Sequence, residues 1–335
     1  MHRIGNLIER TCSRENVELA VKEAKKRRGR HNALVEDMKR FMADYDQNVE
    51  KVCGIIRNGN WEIAGYRSFL RKEHGKVRKI DWNPSFRDNV IQHALFQTLG
   101  KSLNAALIPD TFSGIEGRGM HYGMKRVWNR LLKKYPKGVP CYIMKVDVHH
   151  YYESIDTDLL KAMLIEKVKD DAILHLVFIL IDSHPNGLPI GNYLSQMLAN
   201  FYLNEIDHWA VGLGIDYFRY CDDIVALSDD KAVLNQFMID LGIKLHEIKL
   251  ELKSNLQVFP IERTVGIDFM GFTINQNGVR LRKRIERDMR RSVDLFISSP
   301  CDHTRQSAMS YYGWTSWLTK GDSLWNSVLG ELEAA

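Results

Sequence analysis

The feature that most constrains this chain is a pair of adjacent acids, Asp222-Asp223, set between two apolar stretches. Ile215-Asp216-Tyr217-Phe218 precedes the pair and Ile224-Val225-Ala226-Leu227 follows it. Neighbouring carboxylates are poor strand formers but suit a turn, so the pattern predicts a β-hairpin with Tyr220-Cys221-Asp222-Asp223 at its tip. There the two side chains can converge on a hard divalent cation of the kind oxygen ligands hold. The tetrapeptide alone says little: Tyr-x-Asp-Asp arises by chance in roughly one chain of this size in twenty to forty, and Asp-Asp can simply make the turn.

A third acid stands where apolar residues belong. Cys141-Tyr142-Ile143-Met144-Lys145-Val146-Asp147-Val148 is rich in β-branched and aromatic residues and reads as a buried strand, yet it carries Asp147. A buried carboxylate needs a partner, either a neighbouring Lys or Arg or the same cation. The segment continues Tyr151-Tyr152-Glu153-Ser154-Ile155-Asp156, and 75 residues separate Asp147 from Asp222. Between them, Gly187-Leu188-Pro189-Ile190-Gly191-Asn192-Tyr193-Leu194-Ser195-Gln196 reads as a glycine-containing turn that feeds a helix, where backbone can approach a substrate closely.

These three segments resemble motifs A, C and B of reverse transcriptases. The resemblance runs from about Gly59 to Trp325, with Arg78-Lys79-Ile80 and Gly117-Arg118-Gly119 similar to the two fingers motifs. Gly266-Ile267-Asp268-Phe269-Met270-Gly271-Phe272 is similar to the primer-grip region. In motif B most of the family carries Gln-Gly-x-x-x-Ser-Pro. This chain has Ile190-Gly191-x-x-x-Ser195-Gln196, the form associated with diversity-generating retroelements.

The resemblance implies a set of roles. Asp147, Asp222 and Asp223 would be catalytic and, with Val148, would hold two magnesium ions. Tyr152 would place its ring against the sugar C2′ position and exclude a ribonucleotide's extra hydroxyl, with Tyr151 turned into the core. Arg78, Arg71 and Lys76 are candidates to grip the triphosphate, with Gly191, Ser195 and Gln196 also at the nucleotide. An isoleucine at position 190 cannot make the hydrogen bond that the usual glutamine offers, so lower fidelity is expected. Arg118, Phe269, Met270, Gly271, Arg282, Lys283, Arg284 and Arg287 would meet nucleic acid. The motif D match is poor, leaving Lys249 and Lys253 as displaced candidates for its lysine and neither assigned. His121, His149, His150 and His184 are expected at the surface, since two-metal transfer needs no histidine.

Composition sets the outer bounds. A chain of 335 residues, 44% of them apolar, can bury a large core. The near-apolar run Ala172–Ile181 is too short to span a bilayer, and the N-terminus lacks a secretory apolar stretch, so a cytoplasmic location is expected. Five scattered cysteines without Cys-x-x-Cys spacing suggest reduced thiols. The net charge of +5 is modest, but basic residues cluster in Lys22–His31 and Arg280–Arg291. Such runs are solvated helix faces or polyanion contacts, and the second follows the primer-grip segment where a thumb helix would meet duplex phosphates.

The expected fold is α+β, a right-hand polymerase with fingers, an antiparallel palm and a small helical thumb. Its parts would be an N-terminal helical extension at 1–58, fingers at 59–140, a palm at 141–272 with inserted fingers helices at about 159–196, and a thumb at 273–335. A single amphipathic helix is expected over 88–107 and another over 159–181. Trp314, Trp317 and Trp325 would cap the thumb core. The function implied is error-prone cDNA synthesis from a retroelement template RNA, with deoxynucleoside triphosphates, an RNA/DNA duplex and an oligomeric accessory variability protein as partners. An antiphage-defence reverse transcriptase and a non-catalytic RNA-binding scaffold are the alternatives.

Overall fold

In the computed structural model, residues 4–26, 32–73, 76–254, 256–262 and 265–318 are described, with the side chains of residues 32, 33, 73, 76 and 78 excepted. Contacts divide the chain into two compact units. One is made of Met1–Ile108, Val148–Trp209 and Gly242–Leu252, the other of Pro109–Asp147, Ala210–Leu241 and Lys253–Ala335.

The first unit is mainly helical. Helices Arg14–Lys26, Asn32–Ala43 and Tyr45–Asn58 precede a two-stranded antiparallel hairpin, β1 (Arg67–Glu73) with β2 (Lys76–Trp82). Helix Phe86–Leu95 buries Val90, Ile91, Ala94 and Leu95. Its fully buried Asp88 is satisfied by Trp61 Nε1 at 3.1 Å, the Ala64 amide at 2.8 Å and Asn83 Nδ2 at 2.8 Å. A buried carboxylate with that many donors ties the incoming loop to the helix instead of costing stability.

Two expected helices are interrupted, each where a distant segment packs against it. The run over 88–107 changes to a π-turn at Phe96–Gly100 before continuing as Lys101–Ala106. A Cβ on Gly100 would strike the Phe96 ring and the Met197 sulfur, so the tight approach of the Tyr193–Tyr202 helix needs this glycine. The run over 159–181 splits into Thr157–Lys167 and Asp171–Asp182. Val168 leaves the helix to bridge Ile4, while Asp170 caps the second helix at Ile173 and also accepts from the Leu7 and Ile8 amides.

The second unit holds the larger sheets. β3 (Thr111–Phe112), β4 (Tyr142–Asp147), β5 (Asp216–Tyr220), β6 (Asp223–Ser228) and β7 (Gln257–Pro260) form one sheet in the order β3-β5-β6-β4-β7. All of its pairings are antiparallel except β3 with β5. A meander of β8 (Ile267–Phe269), β9 (Phe272–Asn275) and β10 (Gly278–Leu281) forms a second sheet. Period-two alternation sorts the large sheet's faces. Ile143, Phe218, Val225 and Leu227 join one apolar cluster with Val127 and Leu131 of helix Met120–Lys134 and with Phe269, Phe272 and Ile274 of the meander. On the other face, Phe237 of helix Lys231–Glu247 meets Tyr217 edge-on. Among the described residues no helix is long and apolar enough to cross a membrane.

Charge pins the start of β5. Asp216 is 2% exposed and is met by Arg130, by Lys134 at 2.9 Å and by the Tyr135 hydroxyl at 2.7 Å. Arg130 and Lys134 are one helical turn apart, so a single helix face delivers both cations. Both cations keep access to water, so Asp216→Ala is expected to lower unfolding stability by about 1.5–3 kcal/mol, the scale for losing hydrogen bonds to a charged group. Urea denaturation of both proteins checks this; a loss below about 1 kcal/mol would show the pair to be surface-like.

Candidate active site

The three acids picked out in the sequence lie together in the second unit. Asp147 ends β4 and pairs in register with Asp223, the first residue of β6. Tyr220, the last residue of β5, pairs with the same Asp223, leaving Cys221-Asp222 as the hairpin turn. Cys221 takes a left-handed φ of 55°, a conformation that a residue with a Cβ adopts only at some cost. Support comes from Arg219, whose side chain is fully buried and donates from Nη1 to the Cys221 carbonyl at 3.0 Å. Cys221 Sγ lies 3.1 Å from Ser113 Oγ.

Like charges so close must be compensated. Lys253 Nζ donates to Asp147 Oδ1, and the Lys253 amide donates to the Asp147 carbonyl at 2.9 Å. Lys145 Nζ stands 3.4 Å from Asp223 Oδ2 and also donates to the Asp268 carbonyl in β8. Compensation is incomplete. Burial, opposed by Lys145 and reinforced by Asp147, pushes the Asp223 carboxyl up to about 6. Burial and then Asp147 raise Asp222 above the ordinary carboxylate range. Asp223 Oδ1 is buried with no hydrogen-bond partner.

Among the described residues no three His, Cys, Asp or Glu side chains already form a metal cage; lysines stand at two of the acids instead. The donor set nevertheless fits hard cations. It is all oxygen, one of its atoms is buried without a partner, and burial with nearby like charge raises the Asp222 and Asp223 carboxyls above their ordinary range.

The remaining expected residues are placed as follows. Val148 is fully buried and makes an isolated bridge to Leu252. Phe269 and Met270 are buried in the core, so any contact they make with nucleic acid would run through the backbone. Met270 and Gly271 form the β8–β9 turn with φ of 51° and 87°, the left-handed pair that a two-residue hairpin uses. A Cβ on Gly271 would strike Trp314 and Ile285. Helix Lys283–Ser298 buries Met289 and Val293 and leaves Lys283 and Arg287 exposed. Arg282 pairs with Asp268 at 2.5 Å, and Arg284 keeps a buried Nε without a partner. Arg118 is half-buried in the loop before helix Met120–Lys134.

In the first unit, Tyr151 is buried with its hydroxyl on the Ala199 carbonyl, while Tyr152 is half-buried. Ile190 is 41% exposed, Gly191 is exposed, Gln196 is half-buried, and Ser195 is buried with its Oγ unpartnered. Arg71 is exposed on β1 opposite Arg78 on β2, whose side chain lies outside the described residues, as do the Lys76 side chain and Trp325.

Sequence reasoning left several site residues unassigned. Lys145 could have been noticed, since period-two alternation puts it on the face of Asp147. Nothing local marks Arg219 as buried. The displaced motif D lysines divide: Lys253 meets Asp147, whereas Lys249 pairs with Asp156 at 2.5 Å. His121, expected at the surface, instead stacks on Trp317 at 5.2 Å inside an aromatic group with Phe272 and Trp314. Burial and the nearby Lys125 lower its affinity for a proton.

The raised acids give a prediction with a definite sign. Because folded Asp223 holds its proton up to about pH 6 and the unfolded chain releases it near 4, apo stability falls as pH rises through that window. A cation that binds the ionised acids reverses this loss. Added magnesium or manganese is therefore expected to raise the melting temperature clearly at pH 7.5 and little at pH 5. Equal shifts at both values would argue against a site built on these carboxylates.

No family model matches the chain. Among curated proteins it is 23% identical over 186 residues to the group II intron-encoded protein LtrA of Lactococcus lactis, covering 52% of this chain and 30% of that protein. It is 25% identical over 219 residues to the retron Ec73 reverse transcriptase of Escherichia coli, covering 60% of this chain and 63% of that enzyme. The chain thus spans less than two thirds of either relative. Among solved structures it is similar to apo telomerase from Candida tropicalis truncated from its C-terminal domain, with a TM-score of 0.51, 14% identity, and coverage of 66% and 55% of the two chains. Telomerase from Candida albicans in complex with the TWJ fragment of telomeric RNA gives a TM-score of 0.51 at 11% identity over 82% and 58%. The chain is thus similar in sequence to a reverse transcriptase and has the α+β polymerase fold shared by reverse transcriptases and telomerase.

Proposed function

We propose that this chain is an RNA-directed DNA polymerase. The observation that carries the reading is the register of Asp147 against Asp223, with Asp222 on the adjoining turn and one Asp223 oxygen buried without a partner. Two divalent cations, magnesium by the family resemblance, would activate the primer 3′-hydroxyl and brace the triphosphate. Asp147, Asp222 and Asp223, with Val148 by resemblance, are the residues to hold them. Lys145 and Lys253 limit the repulsion among the acids, and Arg219 keeps the Asp222 turn in its strained conformation. The same resemblance assigns nucleotide contacts to Arg71, Arg78, Tyr152, Gly191, Ser195 and Gln196, and duplex contacts to Arg118, the Phe269–Gly271 turn, Arg282, Lys283, Arg284 and Arg287.

The decisive test is extension of a DNA primer on an RNA template. Asp222→Asn preserves shape and removes one charge, so it is expected to abolish extension while the protein melts near the wild-type temperature. Extension by the variant at an undiminished rate would refute the assignment.

The finer reading is a mutagenic enzyme of the diversity-generating type, with a retroelement RNA and an oligomeric accessory protein as partners. It is supported by Ile190-Gly191-x-x-x-Ser195-Gln196 and by the exposure of Ile190. Ile190→Gln would restore a hydrogen-bonding group, and one regained contact of about 1.4 kcal/mol changes an error ratio tenfold. Sequenced cDNA from a defined template is expected to show fewer errors in the variant, chiefly opposite adenine. Equal and low error rates in both proteins would favour a defence-type reverse transcriptase.

A further inference from the structure

Away from the carboxylates, the loop that carries Ile190 is fastened with unusual redundancy. Asp81, on β2 and 14% exposed at its side chain, places Oδ2 3.1 Å from His184 Nε2. The other ring nitrogen of His184 lies 2.8 Å from the Asn186 carbonyl. Asp81 reaches the same loop through its backbone, because its carbonyl accepts the Gly191 amide at 3.1 Å. A Cβ on Gly191 would strike that carbonyl and Trp82. Tyr66, just before β1, lies edge-on to His184 at 5.5 Å, and its hydroxyl is 2.7 Å from both Ser183 Oγ and Asn192 Nδ2. In mid-loop the Leu188 amide donates to the Tyr152 carbonyl at 2.8 Å, an approach possible because Gly187 has no Cβ to strike that oxygen. Ile190 is left at the rim of a cleft also lined by Lys79, Glu153 and His184.

We propose that Asp81 and His184 form a positioning latch between the hairpin and the Ile190 loop. The latch rests on the polymerase reading above and adds to it a determinant of nucleotide selection. Four side-chain or backbone bonds from two hairpin-proximal residues, Tyr66 and Asp81, reach this loop's start and end. Ile190, one of its exposed members, makes no bond of its own with its side chain, so its place depends on these fastenings. Loosening them should blur the fit to the incoming nucleotide while leaving the carboxylates of the other unit as they are.

Two measurements test this independently. Hydrogen exchange needs no activity: His184→Ala is expected to speed exchange of the Gly191 and Leu188 amides about tenfold, with the β4–β6 ladder unchanged. Unchanged exchange at both amides would overturn the latch. Single-nucleotide extension is expected to show a fivefold or greater rise in KM for the deoxynucleoside triphosphate and in misincorporation, with kcat within twofold of wild type. Asp81→Asn, which keeps an acceptor, and His184→Gln, which keeps a donor, should recover most of both losses. Faster exchange with unaltered KM and misincorporation, or an equal loss of kcat in every variant, would overturn the role in selection. A wild type that extends no primer while exchange responds as expected would instead refute the polymerase reading and, with it, selection as the purpose of the latch.

Discussion

Mutual repulsion among Asp147, Asp222 and Asp223 is the constraint around which the second unit is organised. Adjacent strands β4 and β6 set two of these acids directly opposite one another, the pairing that is least favourable for like charges. The ladder tolerates it because the same sheet face changes character along its length. Ile143, Phe218, Val225 and Leu227 are buried under the helix and meander, and this apolar end holds the strands in register. Lys145 marks the change, reaching both Asp223 and the Asp268 carbonyl. Charge concentrated at one end of a sheet is thus supported by apolar packing at the other.

How much of this was legible in the sequence depended on how local the signal was. The hairpin carrying Asp222 and Asp223 and the strand ending at Asp147 were readable from alternation and β-branched residues alone. So was the buried side of Tyr151, since neighbouring tyrosines must divide between faces. The pairing of each lysine with its acid was not, because strand alternation tells which face a side chain such as Lys145 takes and not which neighbour lies beside it. Arg219 illustrates the limit most clearly: an arginine between Phe218 and Tyr220 reads as an ordinary strand residue, yet it is fully buried beneath the turn.

Helix boundaries failed for related reasons. Apolar periodicity persisted through Phe96–Gly100 and across Val168, but close approach of Met197 and the bridge from Ile4 altered the backbone there. Both causes are tertiary. Asp170 was the one readable stop signal, an acid placed where it caps the following helix. His121 went astray in the opposite direction, since three aromatic neighbours distant in sequence half-bury it.

The order β3-β5-β6-β4-β7 has a consequence for how this protein behaves in a crowded solution. Its two outermost strands are the weakest templates in the sheet: β3 has two residues, and β7 has four and ends in Pro260, which lacks an amide hydrogen. A stray extended segment meeting either side finds too few aligned backbone groups to add itself as another strand. The long strands β4, β5 and β6 lie inside, β4 and β6 with a strand on each side and β5 paired to β6 throughout and to β3 at Arg219 and Tyr220. The sheet therefore resists aggregation by its strand order, without needing charged residues along an exposed border.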